Sequence, residues 1–284
     1  MACRAAAPAV NVPDTSEVRG SIEGLTLSSV RRIACMLDRD PSTLEQGDRL
    51  PRGWHFVVMP ALTRRSALRS DGFPGLGVTM PDLGLPRLML AGRSVSYRSD
   101  LVIGEEVERR SWIESLEDKT AEARPSALAR IGHELRSVAS GETSVSETQT
   151  YILLPAAPYR HRETEKVEVQ AEVTRIVVPD QTMLFQYSAL GFNSHKIHLD
   201  RAFARDVEGF PDLVVNGGLA TLLLTEFVRE DLGLTLTALS VRNTAPLFCD
   251  RPLTLAADRR DGTWAIAIHN EDGAVAAQVE VETA

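Results

Sequence analysis

The 284-residue chain has few cysteines, no long apolar run and no excess of basic residues, and each absence removes a class of function. Its three cysteines, Cys3, Cys35 and Cys249, are odd in number and far apart, with no C-x-x-C or other metal spacing. That pattern excludes a disulfide framework and points to a reducing, cytoplasmic compartment. No hydrophobic stretch approaches the roughly 20 residues that a membrane span requires. The net charge is −8 with a pI near 5.4, which argues against nucleic acid and against an anionic membrane surface as partners. The start, MACRAAAPAVNVPDT, has a single arginine and no apolar h-region, so residues 1–18 are expected to be a disordered tail rather than a signal peptide. Glycines at 72, 75 and 77 do not make a dinucleotide fingerprint: their order is wrong, Pro74 lies among them, and no strand precedes them.

What is present is an ordinary globular composition, 43% apolar and 25% charged, long enough for one large domain or two modest ones. Apolar spacing predicts a helix over 26–37, stopped by Asp40-Pro41. Residues 69–87 are loaded with Gly and Pro and read as a long loop of the kind that often covers or binds a ligand. Strand patterns follow near 93–98, 106–118, 127–138 and 143–153. After a Pro-rich break come a strand candidate over Val167–Val178, a short helix over 180–190, a longer helix near 219–231, and strands at 234–244, 251–259, 263–270 and 274–282. The halves align, with Arg93–Leu101 over Leu239–Leu247 placing Ser94 on Ser240. Each half shows a helix-containing front and then about four antiparallel strands that one long helix can cover, an α+β unit used twice.

Chemistry concentrates in Phe192-Asn193-Ser194-His195-Lys196-Ile197-His198 and in the Val214-Val215-Asn216-Gly217-Gly218 segment that follows. His195 and His198 form H-x-x-H, but catalytic zinc needs three protein ligands and only Asp200 is nearby as a third, so no metal is expected. An imidazole titrates in the range useful for proton transfer at neutral pH. Gly217 and Gly218 open a helix whose unpaired amides, at the positive end of the dipole, can hold developing negative charge. A proton carrier beside an oxyanion site is what water addition to, or elimination from, an acyl thioester requires. Glu226 in the following helix is a candidate for the carboxylate of a thioesterase, and more often such a residue is a solvated helix face. Arg93, Arg98 and Arg242 are candidates for contact with phosphates, against the commoner reading of solvated strand ends.

The stretch FNSHKIHLDRAFARDVEGFPDLVVNGGL resembles the signature of hotdog-fold hydratases and dehydratases of the MaoC-like, hydroxyacyl-thioester dehydratase type 2 family. It is most similar to the branch with mesaconyl- and itaconyl-CoA hydratases, as are Gly53-Trp54-His55, Leu85–Gly92 and Arg130–Glu134. The resemblance implies a double hotdog, with a degenerate, pocket-forming unit over 19–155 and a unit bearing the catalytic motif over 165–284. It implies His198 as the catalytic histidine, Asn193 where the wider superfamily has aspartate, His195 where it has asparagine, and Gly217 as the amide that binds the thioester oxygen. Asn216 stands where the family usually has histidine; with Phe192 and Trp54 it is a substrate-pocket candidate. The implied activity is hydro-lyase chemistry on an enoyl or 3-hydroxyacyl thioester, with branched C5 groups such as mesaconyl and itaconyl among the acyl groups it implies, and no cofactor beyond the substrate's own CoA or phosphopantetheine arm. An acyl carrier protein is a possible partner and a homodimer the expected assembly. A dehydratase of secondary metabolism, a hotdog thioesterase and a non-catalytic acyl-binding protein are the alternatives.

Overall fold

The computed structural model describes residues 17–119, 125–160, 165–260 and 263–284, so Cys3 and residues 1–16 of the expected tail lie outside it. Among the described residues, ten strands form one antiparallel sheet: β1 (Arg19–Gly24), β2 (Arg87–Tyr97), β3 (Glu106–Asp118), β4 (Ala127–Ser137), β5 (Thr143–Leu154), β6 (Val173–Val177), β7 (Leu236–Asn243), β8 (Leu253–Arg260), β9 (Thr263–His269) and β10 (Val275–Thr283). Their order is β1-β3-β4-β5-β2-β7-β10-β9-β8-β6. Read outward from the centre, the two sides are the same: a central strand, then three strands in reverse sequence order, then the first strand of the half at the edge. β2 and β7 meet with Ser94 opposite Ser240, Gly92 opposite Arg242 and Ser96 opposite Ala238. A pseudo-two-fold axis therefore passes between Ser94 and Ser240, the pair that the sequence alignment superposes. The fold is the expected α+β double hotdog.

Among the described residues, three α-helices accompany the sheet. Helix α1 (Leu27–Met36) starts at Thr26, whose Oγ1 accepts from Ser29 N–H, and buries Val30, Ile33, Ala34 and Met36, the i, i+3, i+4 stripe that its spacing predicts. Helix α2 (Gln181–Leu190) is capped by Asp180 accepting from Met183 N–H at 2.7 Å. Helix α3 (Gly217–Glu230) is buried on all sides from Leu219 through Val228, as a helix must be when the sheet curls around it.

The expectation of one long helix per half does not hold. Helix α1 is the counterpart of α2, and the slot equivalent to α3 holds only a 3-10 turn over Trp54–Val58 within irregular chain. The cause is local: Pro51, Pro60, Pro74, Pro81 and Pro86, with left-handed Gly53, Gly72, Gly75, Gly77 and Gly84, prevent a helix between α1 and β2. The turn instead packs onto α3 itself, since a Cβ at Gly53 would stand 2.1 Å from Thr225 Oγ1. One core cluster consequently draws on both halves, from Val95 and Leu135 to Leu239 and Leu255. Two further differences are small. Edge strand β1 carries too little alternation to be predicted, and β6 is shorter than the expected 167–178 because only Val173–Val177 pairs with β8.

Candidate active site

The pairing of β2 with β7 ends at Gly92, next to a register shift of β2 against β5 between Leu90 and Gly92, and Asn243 Nδ2 donates instead to the Leu90 carbonyl at 3.1 Å. There the two halves part, and a cavity of about 670 Å3 opens between them. Its wall includes Asn193, His195, His198, Asn216, Gly217 and Gly218, so the motif and the helix start, about twenty residues apart in sequence, face one space.

His198 sits in a single 3-10 turn over Lys196–His198 and is 8% exposed. Its Nδ1–H donates to the Val214 carbonyl at 2.7 Å, which leaves Nε2 as the nitrogen with a free lone pair. Burial pushes its pKa down to about 3, with the neighbouring His195 adding to the depression and the Val214 hydrogen bond opposing it. The ring is neutral at pH 7 and able to accept a proton. His195 lies edge-on to it, with centroids 5.5 Å apart, and burial brings its pKa down to about 4 against the pull of Asp71 at 3.7 Å. Asn193 Oδ1 accepts from His195 N–H at 3.1 Å, a local turn that fixes the approach to the 3-10 turn.

The long Gly/Pro loop holds this motif in place. Lys196 N–H donates to the Asp71 carbonyl at 2.8 Å, Ser194 Oγ donates to the Gly72 carbonyl at 2.7 Å, and Lys196 Nζ donates to the Ser70 carbonyl at 2.7 Å. Gly72, at φ +77°, is required there: a Cβ would meet Ser194 O at 2.4 Å. Phe73 of the same loop packs against the His195 ring at 5.3 Å.

Opposite stands the start of α3. Asn216 makes no side-chain cap; its Nδ2 donates to Ser188 Oγ at 3.3 Å, and its Oδ1 is buried with no partner among the described residues. The first amides of any helix lack intrahelical acceptors, so those of Gly217 and Gly218 are open to the cavity they line. Both glycines permit a close approach. A Cβ at Gly217 would stand 2.9 Å from Leu90 Cδ2, and one at Gly218 would stand 2.1 Å from Tyr187 Oη.

Two pocket candidates lie elsewhere. Phe192, at φ +48°, is 60% exposed and turned away from the cavity. Trp54 is 1% exposed and donates from Nε1 to Glu226 Oε1 at 2.8 Å, which makes it a core anchor. The same bond answers the thioesterase candidate. Glu226 is held by Trp54, by Arg39 at 2.8 Å and by Arg229 at 2.7 Å, and it does not line the cavity. Arg93, taken from sequence as a phosphate contact or a solvated strand end, instead lies half-buried in the cavity wall, its side chain 12% exposed. Tyr151 and Tyr187 also line that wall, and neither stands out in sequence because isolated tyrosines carry no pattern. Among the described residues, no group of three or more His, Cys, Asp or Glu side chains is placed to hold a metal ion, and no helix is long and apolar enough to cross a membrane.

The chain is also similar to known proteins. The family model for hydroxyacyl-thioester dehydratase type 2 matches residues 53–249. The chain is 34% identical over 235 residues to a mesaconyl-C(4)-CoA hydratase of Chloroflexus aurantiacus, covering 82% of this chain and 83% of that one. It is 22% identical to a mitochondrial hydroxyacyl-thioester dehydratase type 2 of Schizosaccharomyces pombe, over 84% and 86% of the two chains. Among solved structures, a MaoC-like dehydratase from Phytophthora capsici superposes with a TM-score of 0.71 at 14% identity, over 97% of this chain and 96% of that one, which speaks to the fold. With its double-hotdog sheet, its buried histidine and its open helix start, the chain belongs to the hydroxyacyl-thioester dehydratase type 2 family.

Proposed function

We propose that the protein is a hydro-lyase that adds water to an α,β-unsaturated acyl thioester, or removes it from the 3-hydroxyacyl form, through an enolate. The observation that carries this reading is the shared cavity: the free Nε2 of His198 and the uncapped start of α3 line one space. In the hydration direction, His198 Nε2 takes a proton from water as the water oxygen bonds to Cβ. Electrons move to the thioester oxygen, held by the Gly217 amide, and the imidazolium then returns the proton to Cα. One water is consumed and both its parts end on the substrate. Burial lowers the pKa of this imidazole, which weakens it as the base of the first half and strengthens its imidazolium as the acid of the second. Positioned proton transfer is worth about 10²–10⁴ in rate, and an amide aimed at the oxyanion about 10²–10³. Asn193 places the motif and orients the water.

The acyl group we favour is a short branched one of the mesaconyl type, on the strength of the 34% identity to the Chloroflexus hydratase. The CoA or phosphopantetheine arm belongs to the substrate, and no metal or redox group enters the scheme. We further propose a homodimer working in the cytoplasm, which size-exclusion chromatography with light scattering checks as to assembly. The activity is tested by mixing the protein with crotonyl-, mesaconyl- and itaconyl-CoA while following enoyl absorbance and free thiol. Loss of absorbance without thiol release, reduced at least about a hundredfold in a folded His198→Gln variant, is the expected result. Thiol release, or full hydration by the variant, overturns the mechanism.

A further inference from the structure

One polar row crosses the inner face of the first half. Val95 lies opposite Glu147, Glu147 opposite His133, and His133 opposite Ser111, while Arg93 lies opposite Gln149. The axis that superposes Ser94 on Ser240 carries Arg93 to Leu239, Gln149 to Val281, Glu147 to Val279, His133 to Ile266 and Ser111 to Ala257. The second half fills every one of these positions with hydrocarbon and packs them in the core. The sheet therefore does not need a polar row there. Well-packed apolar residues are often as stable as a buried ion pair, or more so.

The row has a direction. Glu147 accepts from His55 Nε2 at 2.9 Å and from Gln149 Nε2 at 2.6 Å, and faces Arg93 Nε at 3.0 Å. Burial opposes the charges on both, and the pairing outweighs it, holding Glu147 well below and Arg93 above their ordinary ranges. Arg93 meets Glu147 through Nε as an ion pair without hydrogen-bond geometry, and among the described residues none of its three guanidinium nitrogens has a hydrogen-bond partner. They lie in the wall of the cavity beside the start of α3, with Nη2 3.6 Å from where a Gly218 Cβ would stand. The Tyr187 hydroxyl is at the same spot, and burial pushes its pKa up to about 12, so it is a donor. An alkyl chain pressed onto this fork would strip water from its donors and give nothing back. A carboxylate matches the fork in shape and charge. Because Glu147 already offsets much of the arginine's charge, recognition rests on directed N–H and O–H donors more than on net field.

We propose that Arg93 is the residue that sets acyl specificity, selecting a short acyl chain that ends in a carboxylate, with Tyr187 as second donor and Glu147 positioning the guanidinium. This rests on the reading of the cavity as an acyl-thioester site. The nearness of Nη2 to Gly218 limits the chain to a few carbons beyond the thioester.

The test uses binding, so that it stands apart from catalysis. Succinyl-CoA and butyryl-CoA, equal in chain length, are titrated calorimetrically into the wild-type protein, Arg93→Leu and Arg93→Lys. Leu is the residue that the second half carries at this position. The wild type should bind succinyl-CoA at least about tenfold tighter than butyryl-CoA, Arg93→Leu should reduce that ratio to about one, and Arg93→Lys should restore part of it. Should Arg93→Leu fail to fold by circular dichroism, Arg93→Gln takes its place. Equal wild-type affinities, binding of neither ligand, or a ratio that the substitution leaves unchanged overturns the proposal. A protein that shows the ratio yet hydrates no enoyl-CoA would sink the hydro-lyase reading and leave Arg93's role standing.

Discussion

In Gly218→Ala, the added Cβ stands 2.1 Å from Tyr187 Oη and 3.1 Å from its Cζ. The tyrosine cannot simply swing away, because its ring is stacked on Phe56 at 4.5 Å and is 7% exposed. Either the first turn of α3 lifts off or the ring is driven into its neighbours. Overpacking of this kind costs about 1–3 kcal/mol, and the better helix propensity of alanine returns up to about 1 kcal/mol of it. A net loss of about 1–2 kcal/mol lowers Tm by about 2–6 °C in a chain of this size. Displacing the first-turn amides by even an ångström is expected to lower kcat/KM for the preferred enoyl-CoA about a hundredfold. Gly217→Ala is the stability control. Its Cβ meets only the far end of the Leu90 side chain, at 2.9 Å, and should cost less than about 1 kcal/mol. Differential scanning calorimetry and the enoyl absorbance assay read both quantities. An unchanged Tm together with kcat/KM within about twofold of wild type would refute the placement of Tyr187 against the helix start.

Two further expectations follow from the same geometry. His133, His195 and His198 are held by burial at about 4, 4 and 3, below the unfolded value near 6.5, so the unfolded chain takes up protons first as pH falls. Stability should decline from about pH 6.5 towards 4, by about 2 kcal/mol per ring at pH 5; urea melts at pH 7.5 and 5 measure this, and equal midpoints contradict the burial of these rings. Glu226→Ala should cost about 1–3 kcal/mol, since it leaves the buried Trp54 N–H without its acceptor and takes one of two carboxylates from Arg39 and Arg229, which keep Glu230. Assayed below its lowered Tm, it should keep the wild-type ratio of hydration to thiol release; a collapse of activity without loss of stability would return Glu226 to the chemistry.

The periodicity of the chain made most of the fold legible. Burial in β3 alternates from Glu106 to Glu114, and α1 carries its buried stripe and its cap in adjacent residues, so local sequence specifies them. What misled was symmetry: two similar strand sets implied two long helices, but the prolines and glycines between α1 and β2 allow only a 3-10 turn on the shared helix. At the cavity, the nearness of His198 and Asn193 to each other, and of the two glycines to each other, was legible because each pair lies within a few residues along the chain. Trp54 and Phe192 were misplaced because an aromatic near a motif can point either way, and a sequence does not record direction.

Sequence by itself determined the elements, the duplication and the motif, because each is written in neighbours a few residues apart. Only the tertiary structure decided which sides of those elements meet. It put His198 and Gly217 on one cavity where the β2–β7 pairing ends at Gly92, buried Glu226 under Trp54, and placed Arg93, an apparent surface charge, in the wall of that cavity. These are long-range contacts, set by how two half-sheets close on one helix, and no local pattern encodes them.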